Sequence, residues 1–305
     1  MSPTRRAQVQ IHFCVVLWGF TAILGKLITL AALPLVFWRM VTVSVLLACV
    51  PRTWRGIQKM SSHLFFAYVG IGCVVALHWL TFYGAIKLSN ASVAVTCIAL
   101  GPVFLAGVEP WIARRPFDVR ELLLGVAVVP GVALVVGGVA PQMRAGILVG
   151  TVSALLVAVF SSFNKRLIEH ADPVAVTAVE LGAGALFLGL LAPMLPHRGA
   201  LFPIPGAHDA MLIAVLAGAC TLLPYILSLV ALRHLTAFGA QLAVNLEPVY
   251  AILIAAFLLR EHRELTPRFY AGVAIILAAV FAYPLLQKRR VEPPAPEVLA
   301  VSESK

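Results

Sequence analysis

Apolar runs of about 20 residues, separated by short polar interruptions, occupy nearly the whole chain. They define ten hydrophobic segments at roughly 9–28, 33–50, 63–86, 91–111, 118–138, 146–164, 173–193, 209–232, 237–258 and 267–287. A membrane-crossing helix needs about 20 mostly apolar residues, so ten of them take up about two thirds of the 305 positions. Short loops remain, and no separate soluble domain. The alternation of a barrel strand is absent, and in lipid each backbone amide must find its partner within its own segment, so every segment is predicted to be helical. The first follows Arg5-Arg6 in the manner of a signal peptide. Nine further segments and Lys26 near its C-terminal end instead indicate a retained helix. The stretch from Gln287 to Lys305, with Glu292-Pro293-Pro294-Ala295-Pro296, reads as a disordered tail.

The punctuation of the first five segments returns in the last five. Lys26 and Pro34 recur as Lys165 and Pro173 at the same spacing. Gly72, Leu77, Ala85, Ala91, Ala94, Leu100, Pro102 and Val103 recur as Gly218, Leu223, Ala231, Ala237, Ala240, Leu246, Pro248 and Val249. Gly125-Val126-Ala127 recurs as Gly272-Val273-Ala274. Five is odd, so the second copy must enter the membrane from the opposite side. The predicted fold class is an all-α integral membrane protein, with ten transmembrane helices as two inverted five-helix repeats. The repeats are residues 1–143 and 144–287, and 288–305 form a cytoplasmic tail. Inverted halves around a midplane site are the architecture of secondary transporters, so the expected activity is movement of a small molecule across a bilayer.

Composition agrees: 61% of residues are hydrophobic and 12% charged, against about a quarter charged in a soluble chain. The net charge of +10 raises the question of a nucleic-acid partner, and its placement answers it. With the N-terminus inside, the inner face holds Arg5, Arg6, Arg52, Arg55, Lys59, Arg114, Arg115, Arg120, Lys165, Arg166, Arg233, Lys288, Arg289, Arg290 and Lys305. The outer face holds Lys26, Lys87, Arg144, Arg198, Arg260, Arg263 and Arg268. This positive-inside asymmetry predicts an inner-membrane protein with both termini cytoplasmic and no nucleic-acid partner. Cys14, Cys49, Cys73, Cys97 and Cys220 fall within apolar segments without paired spacing, and read as packing residues, not disulfides or metal ligands.

Several motifs add a family likeness. The run Ala76-Leu77-His78-Trp79-Leu80-Thr81-Phe82-Tyr83-Gly84-Ala85-Ile86-Lys87-Leu88-Ser89 resembles the third-to-fourth segment region of EamA-type members of the drug/metabolite transporter superfamily. Leu223-Pro224-Tyr225, Ala231-Leu232, Leu246-Glu247-Pro248-Val249-Tyr250, Arg260-Glu261 and Leu265-Thr266-Pro267 are similar to its later segments. Leu17-Trp18-Gly19-Phe20 with Lys26, and Pro34 with Arg39, are similar to its first two. The resemblance implies a ten-helix fold and movement of small metabolites, often amino-acid export, with a pattern nearest threonine/homoserine exporters. A nucleotide-sugar carrier of the same superfamily is the alternative. The chain departs from the pattern at Gly101-Pro102, where the second copy has Glu247-Pro248, and at Arg114-Arg115, where a glutamate often closes the fourth segment.

Polar groups inside a membrane are costly unless they face a cavity or a partner, which makes them the candidate site. Thr221, Tyr225 and Ser228 share one helical face, as do Gln241, Asn245 and Pro248, and as do Ser153, Val157, Phe160 and Asn164. Trp18, His78, Trp79 and Phe82 supply an aromatic rim. Pro102 and Pro248 occupy equivalent places in the two copies, where a mid-helix proline frees a carbonyl for a polar ligand. Set against this, Ser, Thr, Asn and Gln also serve simply as glue between helices.

Four ionisable groups, Lys26, Arg39, Glu180 and Glu247, are candidates for substrate or proton coupling, with Glu247 ranked above Glu180. Lys26 can instead snorkel to the interface. Arg39 can tie down the outer loop, and Glu247, about 100° or more round from the Gln241/Asn245 face, can pair with another helix. Gly146-x-x-x-Gly150 reads as close helix packing. The main rival from another class is an intramembrane enzyme. No hydrolase motif, phosphate loop or metal set is present, so no catalytic residue, metal or cofactor is assigned. The oligomeric state stays open.

Overall fold

The computed structural model describes residues 2–112, 114, 116–195, 199–244, 246–260, 263 and 265–286. Asn245 and the 288–305 tail lie outside the described residues. Fifteen α-helices follow one another. Ser2 caps α1 (Pro3–Gly19) by accepting from the Arg5 amide, and a break at Phe20 leads into α2 (Thr21–Leu27). Next come α3 (Ala32–Ala48), the short α4 (Pro51–Gln58) and α5 (Ser62–Leu88), capped by Ser61. The fourth segment forms α6 (Ala91–Ile98), capped by Asn90, and α7 (Gly101–Ile112). α8 (Val119–Gly137) and α9 (Arg144–Leu167) follow, then α10 (Pro173–Leu191). A π-helical turn, Gly218–Leu222, joins α11 (Ala207–Ala217) to α12 (Leu223–Leu232). The ninth segment forms α13 (Ala237–Val244) and α14 (Glu247–Ile254), and α15 (Pro267–Leu286) ends the bundle.

The breaks follow from proline chemistry. A proline lacks the N–H that would bond the carbonyl four residues earlier. Pro102 thus frees Ile98, where α6 stops, and Pro248 frees Val244, where α13 stops. Pro224 does the same to Cys220, inside the π turn. At the start of α10, Asp172 caps the Val174 amide and accepts two hydrogen bonds from Arg52, at 2.9 and 2.7 Å. Partial burial alone would push the Asp172 carboxyl up, but the Arg52 and backbone hydrogen bonds outweigh it and hold the group below its ordinary value.

Helix covers the described residues of all ten expected segments, and α8 and α15 run over 19 and 20 residues. Among the described residues, six continuous helical stretches are long and apolar enough to cross a membrane, or seven if α3 and α4, bent by 88°, count as one. The shorter apolar helices Val126–Gly137, Glu247–Leu259 and Pro267–Ala279 fall in the fifth, ninth and tenth segments.

Packing partners are exchanged between the halves in matching pairs. α5 packs on α9 as α12 packs on α1; α6 and α7 pack on α9 as α14 and α13 pack on α1. α8 lies against α15, where a Cβ at Gly131 would sit 2.9 Å from the Gly272 carbonyl oxygen, so two backbones touch. Gly146 and Gly150 bring α9 against Ser89 and Cys97, in keeping with their spacing. One end of the bundle is laced by buried Asp209, which accepts from the Thr29 amide (3.0 Å) and hydroxyl (2.6 Å). There, too, Lys87 donates to the Ile28 carbonyl at 2.5 Å, and Phe202 stacks on Phe37.

The tightest crossing is α5 on α10. A Cβ on Gly72 would overlap the Glu180 backbone, and one on Gly184 would lie 2.9 Å from the Gly72 carbonyl oxygen. Both neighbours are main chain, so neither can rotate aside. Gly72→Ala is therefore expected to destabilise the protein by about 1–3 kcal/mol, the usual cost of overpacking. A thermal melt of the purified protein against Gly107→Ala, where added bulk meets nothing, measures this.

Candidate functional site

A cavity of about 120 Å³ lies where the two halves meet. α1 supplies Trp18, α3 Arg39, and α5 His78, Trp79 and Phe82; α9 adds Val157, Phe160 and Asn164. From the second half come Thr221 of the π turn, Tyr225 and Ser228 of α12, Gln241 of α13 and Glu247 of α14. Ten of the fifteen residues proposed from sequence thus line one space: Trp18, Arg39, His78, Trp79, Phe82, Asn164, Tyr225, Ser228, Gln241 and Glu247.

Arg39 is the centre of its charge pattern. Only 3% exposed, it lays its guanidinium carbon 3.8 Å from the Trp79 ring centroid. Its Nε donates to Thr221 Oγ1 at 2.6 Å and its Nη1 to the Tyr83 hydroxyl at 2.9 Å. Thr221 in turn donates to the Leu216 carbonyl, five residues back, which the π turn makes reachable. Arg39 therefore belongs to the cavity and does not tie down a loop. Arg39 and Glu180 do not pair with each other. Glu180, fully buried behind the wall, accepts from the hydroxyl of Tyr225, and Asn164 Nδ2 lies 3.5 Å away.

Glu247 corrects the helical-wheel reading. It lines the same cavity as Gln241, because the chain breaks between α13 and α14 and a constant 100° per residue does not carry across the break. Pro102 and Pro248 are corrections of another kind. Both are buried in the helix breaks and neither lines the cavity, so they act by bending the chain. Lys26 is exposed at the C-terminal end of α2 and is not a cavity residue. Ser153 turns from the cavity to bond His78 Nδ1 at 2.8 Å, which fixes that ring against Phe160. No cluster of three or more His, Cys, Asp or Glu able to hold a metal occurs among the described residues.

Sequence reasoning missed Thr21 and Ser161 in the lining, and Tyr83 as a partner of Arg39. Tyr83 stands one helical turn after Trp79, which is the signal that finds it. It also left Gly101 without a role. A Cβ there would lie 2.6 Å from Gln241 Nε2, so the bare backbone seats that amide at the cavity wall. The amide nitrogen has no hydrogen-bond partner among the described residues, which leaves a donor for a ligand. Gly101→Ala is expected to displace the amide and reduce transport about as much as Gln241→Ala does, with little loss of folded protein. Transport and detergent gel filtration measured on both variants check this.

The EamA-like transporter family matches residues 7–137 and again residues 144–283, once in each half. A comparison with curated protein sequences gives no match. Twenty-two chains of solved structures match. One, described only as the crystal structure of a protein, has a TM-score of 0.65 at 15% identity, over 95% of this chain and 99% of that one. That likeness concerns the fold alone. The double family match and the apolar helices make this a multi-pass membrane protein of two repeats, in a family of transporters and not enzymes. The chain belongs to the EamA-like transporter family.

Proposed function

We propose that this protein is a secondary transporter that exports a small amino acid by alternating access of the central cavity. The observation that carries the reading is a cavity with one basic and one acidic side chain, Arg39 and Glu247, which form no salt bridge with each other. A zwitterion complements that pair: its carboxylate meets the guanidinium, whose fork suits a planar anion, and its ammonium meets Glu247. Gln241 and Asn164 offer further polar contacts, and Trp18, Trp79, Phe82 and Phe160 receive the remainder of the molecule. A diphosphate carries two or more negative charges and finds one cation here, so a nucleotide sugar fits less well. The sequence pattern near threonine/homoserine exporters gives L-threonine as the first probe.

In this reading the ten helical segments all cross the inner membrane, the short apolar helices included, as two inverted repeats with both termini cytoplasmic. The positive-inside bias supports that placement. Single cysteines in a cysteine-free background test it: Arg55→Cys should react only from the cytoplasmic side and Ala207→Cys only from the outside. Labelling of both from one face would remove the topology.

For the substrate, L-threonine is expected to raise the melting temperature of the purified protein, because a ligand bound only to the native state stabilises it. N-acetyl-L-threonine, without the ammonium, should not. Glu247→Gln should weaken threonine binding roughly ten-fold, the loss of about 1.4 kcal/mol. Equal protection by the two ligands would reject the zwitterion.

A further inference from the structure

Behind the cavity wall lies a set of polar atoms that substrate contact does not account for. Glu180 is fully buried on α10, and the hydroxyl of Tyr225 donates to its Oε2. Its other oxygen, Oε1, has no hydrogen-bond partner among the described residues. Two more orphans are close by: Asn164 Oδ1, on the side chain whose Nδ2 lies 3.5 Å from Glu180, and the hydroxyl of Tyr68. Tyr68 is one turn before Gly72, the residue whose backbone touches Glu180, and its hydroxyl interacts electrostatically with the carboxyl.

A buried carboxylate presents only acceptors, and the neighbouring Asn164 Oδ1 is another, while the Tyr68 hydroxyl can both donate and accept. A protonated carboxyl supplies a further O–H, which the Asn164 or Tyr68 oxygen can accept. No cation forms a hydrogen bond or ion pair with Glu180 among the described residues. Arg39 on α3 is held by Thr221, Tyr83 and Trp79; Arg52 on α4 pairs with Asp172. Arg233, close enough to Tyr68 to interact with it, donates through Nη2 to the Ala171 carbonyl, and its Nε has no hydrogen-bond partner among the described residues. On α5, His78 is bonded to Ser153.

Tyr225 joins this pocket to the cavity. Its one O–H is spent on Glu180, so its oxygen shows the cavity only lone pairs, which suit an ammonium or another donor. We propose that Glu180 is the proton-carrying group of this transporter, and that Tyr225 couples it to the cavity so that a cationic group there and a proton on Glu180 exclude one another. The proposal rests on the transporter reading above and replaces Glu247 with Glu180 as the coupling acid. Release takes place with the carboxyl O–H turned toward Tyr225. The phenol gives its proton to water in the cavity and takes the one from Glu180. One O–H bond breaks on each of Glu180 and Tyr225, and one forms on each of Tyr225 and the water. One negative charge remains on Glu180, held by the Tyr225 O–H with the Asn164 amide beside it. The opposite sequence, on the other side of the membrane, reloads it: one proton enters for each amino acid that leaves.

The test needs no substrate. Infrared spectra of the purified full-length protein at neutral pH should contain the C=O stretch of a buried carboxylic acid. That band is expected to disappear in Glu180→Gln and to persist in Glu247→Gln. Moving the wild type into D2O should shift it promptly to lower frequency as the proton exchanges with the cavity. In Tyr225→Phe the band should lie at higher frequency, because the C=O oxygen loses its donor, and its deuterium exchange should slow about ten-fold or more. A band that survives Glu180→Gln, or exchanges equally fast without the Tyr225 hydroxyl, would overturn the proposal. In liposomes loaded with L-threonine, an outside-acid pH gradient should speed wild-type efflux and leave Glu180→Gln unaffected by the gradient. If the wild type moves no threonine, the substrate reading fails and the infrared result still decides Glu180.

Discussion

A guanidinium in the apolar middle of a helix bundle must be solvated by protein, and the central cavity is organised around meeting that demand. Removing such an ion from water costs several kcal/mol even after relaxation, so Arg39 cannot be buried without partners in fixed positions. The Trp79 face, the Tyr83 hydroxyl and the Thr221 hydroxyl supply them. Those partners sit on α5 and on the π turn before α12, so α3 is bound to helices from both halves at the cavity floor. The π turn is part of the same requirement. It exists because Pro224 cannot complete the regular ladder, and it aims Thr221 at Arg39 while that hydroxyl also satisfies the Leu216 carbonyl.

The fold was largely legible because its determinants are local and repetitive. Apolar run length marked the helical segments, and proline chemistry marked their breaks. Faces such as Thr221/Tyr225/Ser228 survived because each lies within one uninterrupted stretch. Legibility ended where the wheel crossed a break. Glu247 was assigned to the wrong face for that reason, and the two prolines were taken for wall residues when their effect is on the path of the backbone. Lys26 has the charge for a coupling role, but its position at an exposed helix end is a tertiary fact. Arg39 and Glu180 were recognised as costly, yet sequence had no means of showing that each is served by a different set of hydroxyls.

Mobility and rigidity are divided between different contacts. Where a Cβ would overlap main chain, at Gly72 against Glu180 and at Gly131 against Gly272, the helices touch at the backbone. The cavity, in contrast, is bounded in part by side chains on the short or broken helices α2, α6, α13 and α14 and by a π turn. A rocking motion requires both kinds of contact, rigid crossings to carry it and irregular walls to accommodate it.

The contact between Gly101 and the Gln241 amide has a consequence for the equivalence of the two halves. Gly101 occupies, in the first copy, the place that Glu247 occupies in the second. The two copies have opposite roles at this place: one position has no side chain and seats an amide from the other half, and its twin presents a carboxyl to the cavity. Placing an acid at position 101 would collide with Gln241, and shrinking Gln241 alone would leave a hole beside Gly101. The two positions are therefore sterically coupled, and making the halves equivalent here requires changing both together.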